Sequence, residues 1–360
     1  FGQPRHRNRA HCVLDFFNLI LQHGKRKALR QRFVNDNMKD SSGMIRYRPD
    51  IQGLRATAVT LVVLGHAGID AFAGGFVGVD VFFVLSGFLI TGLLVRERES
   101  SGRIRYIDFL SRRLKRLLPA LLAMLIVVFA ASSVLLSPYE VRMQTGSLPF
   151  AASWTSNLFF AFSKFDYFSE LSANDLFLHT WSLGVEEQFY LVWPWLIVLA
   201  FSLTVAKHRP PNTKANLSVL LMCTFALSLW LCLYWAAEDP LLGFYMMPAR
   251  GWQFALGALV FVLSHDTAPQ RRRWAQFLTS ANFRGVAAAV GLLMIGGSAH
   301  ILSDDVVYPG LFALLPSVGT AMVIGAARGG AVSGPNKVLA HRSVVWVGDR
   351  SYSIYLWHWP

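Results

Sequence analysis

Long, nearly charge-free apolar runs set the first bound on this 360-residue chain. They recur at 55–70, 76–95, 117–136, 181–204, 216–237, 245–265, 283–299, 308–327 and 342–360. A helix crosses the hydrocarbon core of a bilayer with about 20 apolar residues, and runs of roughly 16 to 24 reach or approach that length. Inside hydrocarbon every backbone amide must be paired within protein, and a helix does this segment by segment. The expected fold is therefore an all-α polytopic membrane protein, not an ordinary soluble domain. With 54% hydrophobic and only 15% charged residues, composition agrees, and eleven Trp and ten Tyr suit interfacial belts.

A formal charge of +13 raises nucleic acid as a partner. The basic residues, however, gather in short tracts between or before apolar runs, where the positive-inside rule puts them, so no nucleic acid is expected. The tract at 96–116 holds eight Lys/Arg and three acids, and 206–215, 265–274 and Lys337–Arg342 are also basic; these are expected on the cytoplasmic side. The opposite loops, around Glu238-Asp239 and Asp304-Asp305, are acidic. The signs agree only if a tenth apolar piece, 149–163, is re-entrant or interfacial. About nine crossings then start in the cytoplasm and end outside. Residues 1–45 carry nine Lys/Arg against three Asp and lack the h-region of a signal peptide; they read as a basic N-terminal extension of uncertain status. The last run reaches Pro360 without a polar tail, so the domain at 46–360 reads as truncated at its C-terminus. Cys12, Cys223 and Cys232 offer neither a disulfide framework nor metal-ligand spacing, and no metal is expected.

Ionisable residues inside apolar runs are the functional candidates, because charge at membrane depth is costly and faces protein or a water-filled cavity. Arg55 and His66 are eleven residues apart, roughly 20° past three full turns, so they share one helix face about 16 Å apart along the axis. Asp70 follows one turn beyond. The bland account is a snorkelling arginine and a satisfied core histidine. Asp80 is a single acid in a run with Gly74, Gly75, Gly78 and Gly87; it either pairs or caps structurally, or takes part in chemistry. Arg113 and Arg116, three apart, share a face, with Arg112 and Lys115 beside them. Two guanidinium groups in register clamp phosphate, whereas the bland account is an anchor on anionic lipid. In LHTWSLGVEEQFYLVWPW, Glu186 and Glu187 point about 100° apart, so at least one faces the bundle interior. Lesser candidates are His179, Ser182, Arg250, Ser351, Tyr352, Tyr355 and His358. Two classes survive: a transferase with a phosphate-bearing donor on the cytoplasmic side, and a proton-coupled transporter or exporter using His and Glu relays. The absence of a visible inverted repeat in the hydropathy weighs against the transporter.

The wording of several segments, in order, resembles the acyltransferase-3 family of membrane acyltransferases, which includes O-antigen and other glycan O-acetylases. The likeness runs from about Tyr47 to Pro360 through YRPDIQGLRA, GGFVGVDVFFVLSGFLIT, RRLKRLLPA, WSLGVEEQFYLVWP and SYSIYLWHWP. It implies a ten-helix core in the bacterial inner (plasma) membrane, of which nine crossings lie here. It also implies acetyl-CoA or another acyl-CoA as co-substrate, and a glycan or glycolipid acceptor such as lipopolysaccharide O-antigen or exopolysaccharide outside the membrane. The family's Arg-x10-His pattern falls on Arg55 and His66, its Arg-x-x-Arg on Arg113 and Arg116, and its glutamate on Glu186-Glu187. The expected roles are His66 as general base with Asp70 or Glu187 orienting it, Arg55 stabilising charge or positioning the donor, and Arg113 and Arg116 holding donor phosphates. The closing motif resembles the subgroup carrying a C-terminal SGNH hydrolase-like domain, which would be a further partner and is absent from this sequence.

Overall fold

The computed structural model describes residues 47–164, 167–168, 174–205, 213–264, 280–303, 306–327 and 334–360, and the regular structure among them is helical. The chain divides into Phe1–Ile45 and Arg46–Pro360. The basic extension, the loops at 206–212 and 265–279, and Asp304-Asp305 lie outside the described residues.

Helix α1 (Pro49–His66) starts with proline where a helical N–H has no partner to lose. Asp50 in its first turn pairs with Arg48 at 2.6 Å. It stops at His66 because Gly68 takes φ +71°, a left-handed conformation. A 3-10 stretch, Asp70–Val77, then leads into α2 (Gly78–Ser101). There follow α3 (Tyr106–Leu135), α4 (Pro138–Ala152), α5 (Ser156–Phe162), a 3-10 turn at Leu178–Thr180, and α6 (Trp181–Val205). Next come α7 (Thr213–Glu238), α8 (Pro240–Tyr245), α9 (Met247–Ser264), α10 (Ala281–Ile301) and α11 (Leu314–Ala326). Three short helices close the chain: α12 (Asn336–Leu339), α13 (Arg342–Asp349) and α14 (Ser351–Trp357).

By length and composition, five helical stretches among the described residues suffice to cross a membrane: Asp70–Ser101, Tyr106–Leu135, Lys214–Glu238, Pro240–Ser264 and Ala281–Ile301. This corrects the expectation of nine crossings plus a re-entrant segment. Hydropathy registers composition but not the places where a helix breaks or turns polar. The run 342–360 is split at Arg350 into α13 and α14. Of 308–327 only the thirteen residues of α11 form a regular helix. The piece 149–163 is the end of α4 and all of α5, parted by a turn in which Trp154 has φ 55°. Helices α1 and α6 are long, but α1 carries Asp50, Arg55 and His66, and α6 carries Glu186, Glu187 and Gln188.

The bundle is built around α2, which packs on α1, α6, α9 and α11. Its spanning window is 72% buried, against 22% for α7 and 28% each for α3 and α10. Val134, Leu135, Leu227 and Leu293 accordingly point apolar side chains outward, as lipid-facing helices do. Small residues let helices approach in lipid, and the α2–α9 contact shows why. A Cβ on Gly257 would land on the Val84 carbonyl, and one on Gly87 on the Phe254 carbonyl. Replacing Gly257 by Leu is expected to destabilise the bundle by at least about 1–3 kcal/mol, through overpacking. Thermal unfolding in detergent reads this as a lowered midpoint, and an unchanged midpoint would refute the close α2–α9 seam.

Candidate functional site

A cavity of about 110 Å³ lies between α1, α2, α3, α6 and α14. Arg55 reaches it from α1, Arg113 and Arg116 from α3, Ser182, Glu186 and Tyr190 from α6, and Ser351 and Tyr355 from α14. The three-residue spacing on α3 sorts the basic cluster as helix geometry requires. Arg113 and Arg116 face the cavity, while Arg112 turns to Glu97 at 3.8 Å and Lys115 is exposed. The ion pairs among the described residues use Arg48, Arg105, Arg112 and Arg250. Arg55, Arg113 and Arg116 therefore keep guanidinium donors for whatever enters. The Arg113 guanidinium also lies 4.9 Å from the Tyr190 ring centroid, a cation–π distance.

Glu186, and not the neighbouring Glu187, lines this cavity. Its Oε1 accepts short hydrogen bonds from the Ser86 and Tyr190 hydroxyls. Glu187, half-buried one residue further along α6, does not itself line the cavity but lies close enough to feel the charge of Arg113. The local pattern has no means of choosing between two residues one step apart.

Eleven residues along α1, His66 belongs to a second polar cluster. Its Nε2 lies 2.8 Å from the Tyr167 hydroxyl and its Nδ1 3.0 Å from His358 Nε2, with the Trp359 ring edge-on at 4.7 Å. His358 Nδ1 lies 2.6 Å from the Tyr355 carbonyl oxygen. His179 is buried, its ring centroid 5.6 Å from that of His358. Asp70, expected to orient His66, is exposed on the 3-10 stretch, and both His66 ring nitrogens are engaged by other groups. Burial, and then the charge of His358, push the His66 imidazole down to about 3, so it is neutral at pH 7. Burial lowers His358 and His179 in the same direction.

Tyr355 joins the two places. It lines the arginine cavity, and its hydroxyl lies 2.6 Å from Ser182 Oγ and donates to the His179 carbonyl at 3.0 Å. Its own carbonyl serves the histidine cluster. Arg55 and His66 thus sit on one helix, and Tyr355 belongs to the surroundings of both.

On the other side of Tyr167 is a third polar group. Arg250 and Asp80, both 1% exposed, are paired at 3.2 Å. Arg250 Nε donates to the Phe244 carbonyl, and its guanidinium lies over the Trp181, Phe244 and Tyr308 rings. Asp80 also accepts hydrogen bonds from Gln253 and Tyr308. Asp80 is thus the partner of a buried arginine.

These features define a class: a multi-pass helical membrane protein with an arginine-lined cavity and, next to it through Tyr355, a neutral histidine hydrogen-bonded to a hydroxyl. The chain belongs to the acyltransferase-3 family, whose model, described as "Acyltransferase domain", matches residues 48–360. It is 32% identical to the peptidoglycan O-acetyltransferase OatA of Listeria monocytogenes over 320 residues, 88% of this chain and 49% of that protein. It is 32% identical to the O-acetyltransferase OatA of Staphylococcus aureus, covering 88% of this chain and 50% of that one. It is 31% identical to the putative peptidoglycan O-acetyltransferase YrhL of Bacillus subtilis, covering 88% and 48%. The chain thus spans about half the length of the curated relatives it matches. No solved structure matches it. Family and spanning helices together make it a multi-pass protein of the bacterial inner (plasma) membrane.

Breaking the buried pair leaves one uncompensated charge. Arg250→Ala is therefore expected to destabilise by about 3–5 kcal/mol, and Arg250→Ala with Asp80→Ala by less than Arg250→Ala alone. Denaturation in detergent measures both, and a double variant no better than the single would remove the pairing argument.

Proposed function

We propose that this chain transfers an acyl group, acetyl in the first instance, from cytoplasmic acyl-CoA to a hydroxyl of an extracytoplasmic glycan. The peptidoglycan named in its relatives makes a cell-wall glycan the first acceptor to test, ahead of the O-antigen and exopolysaccharide suggested by sequence. The observation that carries the reading is the convergence of Arg55, Arg113 and Arg116 on one cavity whose far wall, Tyr355, is hydrogen-bonded to the cluster containing His66.

The donor set fits a phosphate-bearing thioester. Three guanidinium groups against the single carboxylate of Glu186 leave a surplus of positive charge and planar donor forks suited to phosphate. Acyl-CoA supplies the activated thioester. Arg113 and Arg116, part of the basic tract 96–116, hold its phosphates at the cytoplasmic side, and Arg55 positions the arm deeper in the bundle. Neutral His66 takes the proton of an attacking hydroxyl at Nε2 as the new C–O bond forms. The C–S bond then breaks, and the leaving thiolate receives that proton.

One contact favours a two-step form of the same reaction. The hydroxyl that His66 holds at 2.8 Å is that of Tyr167, and a nucleophile within hydrogen-bond reach of a base is the arrangement of covalent catalysis. Tyr167 then receives the acyl group first and passes it to the glycan, or to an SGNH hydrolase-like domain where one follows. A transporter gains no comparable support, since nothing in the cluster requires a substrate to move through it.

His66→Ala is expected to abolish ester formation while membrane insertion persists, as read by mass spectrometry of wall glycans for added acetyl. Wild-type acetylation in that variant would eliminate the base. Arg113→Ala combined with Arg116→Ala is expected to raise the KM for acyl-CoA roughly ten- to hundredfold; an unchanged KM would remove the phosphate clamp. Tyr167→Phe separates the forms: loss of all transfer supports the two-step route, and retained transfer supports direct attack by the glycan.

A further inference from the structure

A base needs its lone pair on the correct nitrogen, and for imidazole this depends on which of two tautomers is present. The hydrogen-bond chain around His66 settles this from one fixed point. A backbone carbonyl only accepts. The Tyr355 carbonyl, 2.6 Å from His358 Nδ1, therefore requires the proton of neutral His358 to sit on Nδ1. His358 Nε2 is then a bare lone pair. It lies 3.0 Å from His66 Nδ1, so the hydrogen bond between the rings forms only if His66 carries its proton on Nδ1. His66 Nε2 is left unprotonated, facing the Tyr167 hydroxyl at 2.8 Å.

Resting on the reading of His66 as the general base, we infer that His358 is a positioning residue for it. The Tyr355 carbonyl fixes the tautomer of His358, and His358 in turn fixes that of His66, so that Nε2 is the basic nitrogen. The role elsewhere given to a carboxylate behind a catalytic histidine, holding the ring and its tautomer, is here filled by a neutral imidazole. This explains how the site works with Asp70 exposed and Glu186 committed to Ser86 and Tyr190. A neutral acceptor also avoids placing another charge in a buried site, where isolated charge is costly. When His66 gains a proton, its Nδ1–H still donates to His358, so the partner supports both states of the cycle. The other groups packed on the pair are Trp359, edge-on to His66, and His179 and Tyr355, beside His358.

The test uses the full chain in lipid nanodiscs with 15N-labelled histidine, the His66 signals being assigned by their loss in His66→Gln. The expected result is His66 protonated on Nδ1 and bare on Nε2 in the wild type. In His358→Leu, which removes the acceptor, that preference is expected to be lost. kcat should fall roughly 10²-fold or more, the range of a lost general base, with the KM for acyl-CoA unchanged. His358→Gln, whose amide oxygen can accept from Nδ1–H, is expected to restore part of both kcat and the tautomer signal. His66 protonated on Nε2 in the wild type would overturn the inference whatever the activity. So would a His358→Leu protein that is folded, binds acyl-CoA normally and turns over at the wild-type rate. The correct tautomer together with an active His66→Ala would instead strike at the base itself, so the two claims fail separately.

Discussion

Charge buried in a membrane-embedded bundle must be answered by protein, and this requirement organises the centre of the molecule. Arg250 meets it with Asp80, a backbone carbonyl and three aromatic faces. The arginines of the cavity are different. Arg55, Arg113 and Arg116 face Glu186, a single carboxylate already holding two hydroxyls. Positive charge left in surplus along a cavity wall favours an anionic ligand. One arginine is therefore consumed by the fold, while the three of the cavity enter no salt bridge among the described residues.

The helices make this contrast affordable. α2 lies at the centre, touching α1, α6, α9 and α11, and contributes to both polar regions: Ser86 to the cavity and Asp80 to the buried pair. α1 carries Arg55 at one level and His66 at its end, which by the helical rise lie about 16 Å apart. Tyr355 touches both regions: it lines the cavity, while its carbonyl and ring contact His358.

Much of this was legible in the sequence where helical period governs it. Arg55 with His66, and Arg113 with Arg116 set apart from Arg112 and Lys115, follow from residues per turn. What period cannot supply is pairing across the chain. His66 and His358 are 292 positions apart, Asp80 and Arg250 170, and Tyr167 sits in a connection with no periodic signal. The choice of Glu186 over Glu187 depends on rotation of α6 about its axis, which two adjacent identical residues leave undetermined. The number of crossings was overestimated for a related reason. Averaged hydropathy does not see the break at Arg350 or the irregular chain before α11.

The bundle is proposed to pass an acyl group, and not its carrier, from one face of the membrane to the other. The protein in sealed proteoliposomes, with acetyl-CoA labelled in its acetyl group on the side of the α2–α3 connection and a peptidoglycan oligosaccharide on the opposite side, tests this directly. Labelled ester on the far-side oligosaccharide, with all the coenzyme retained on the donor side, is the expected result. Ester confined to the donor side, or coenzyme appearing with the acetyl group on the far side, would contradict it.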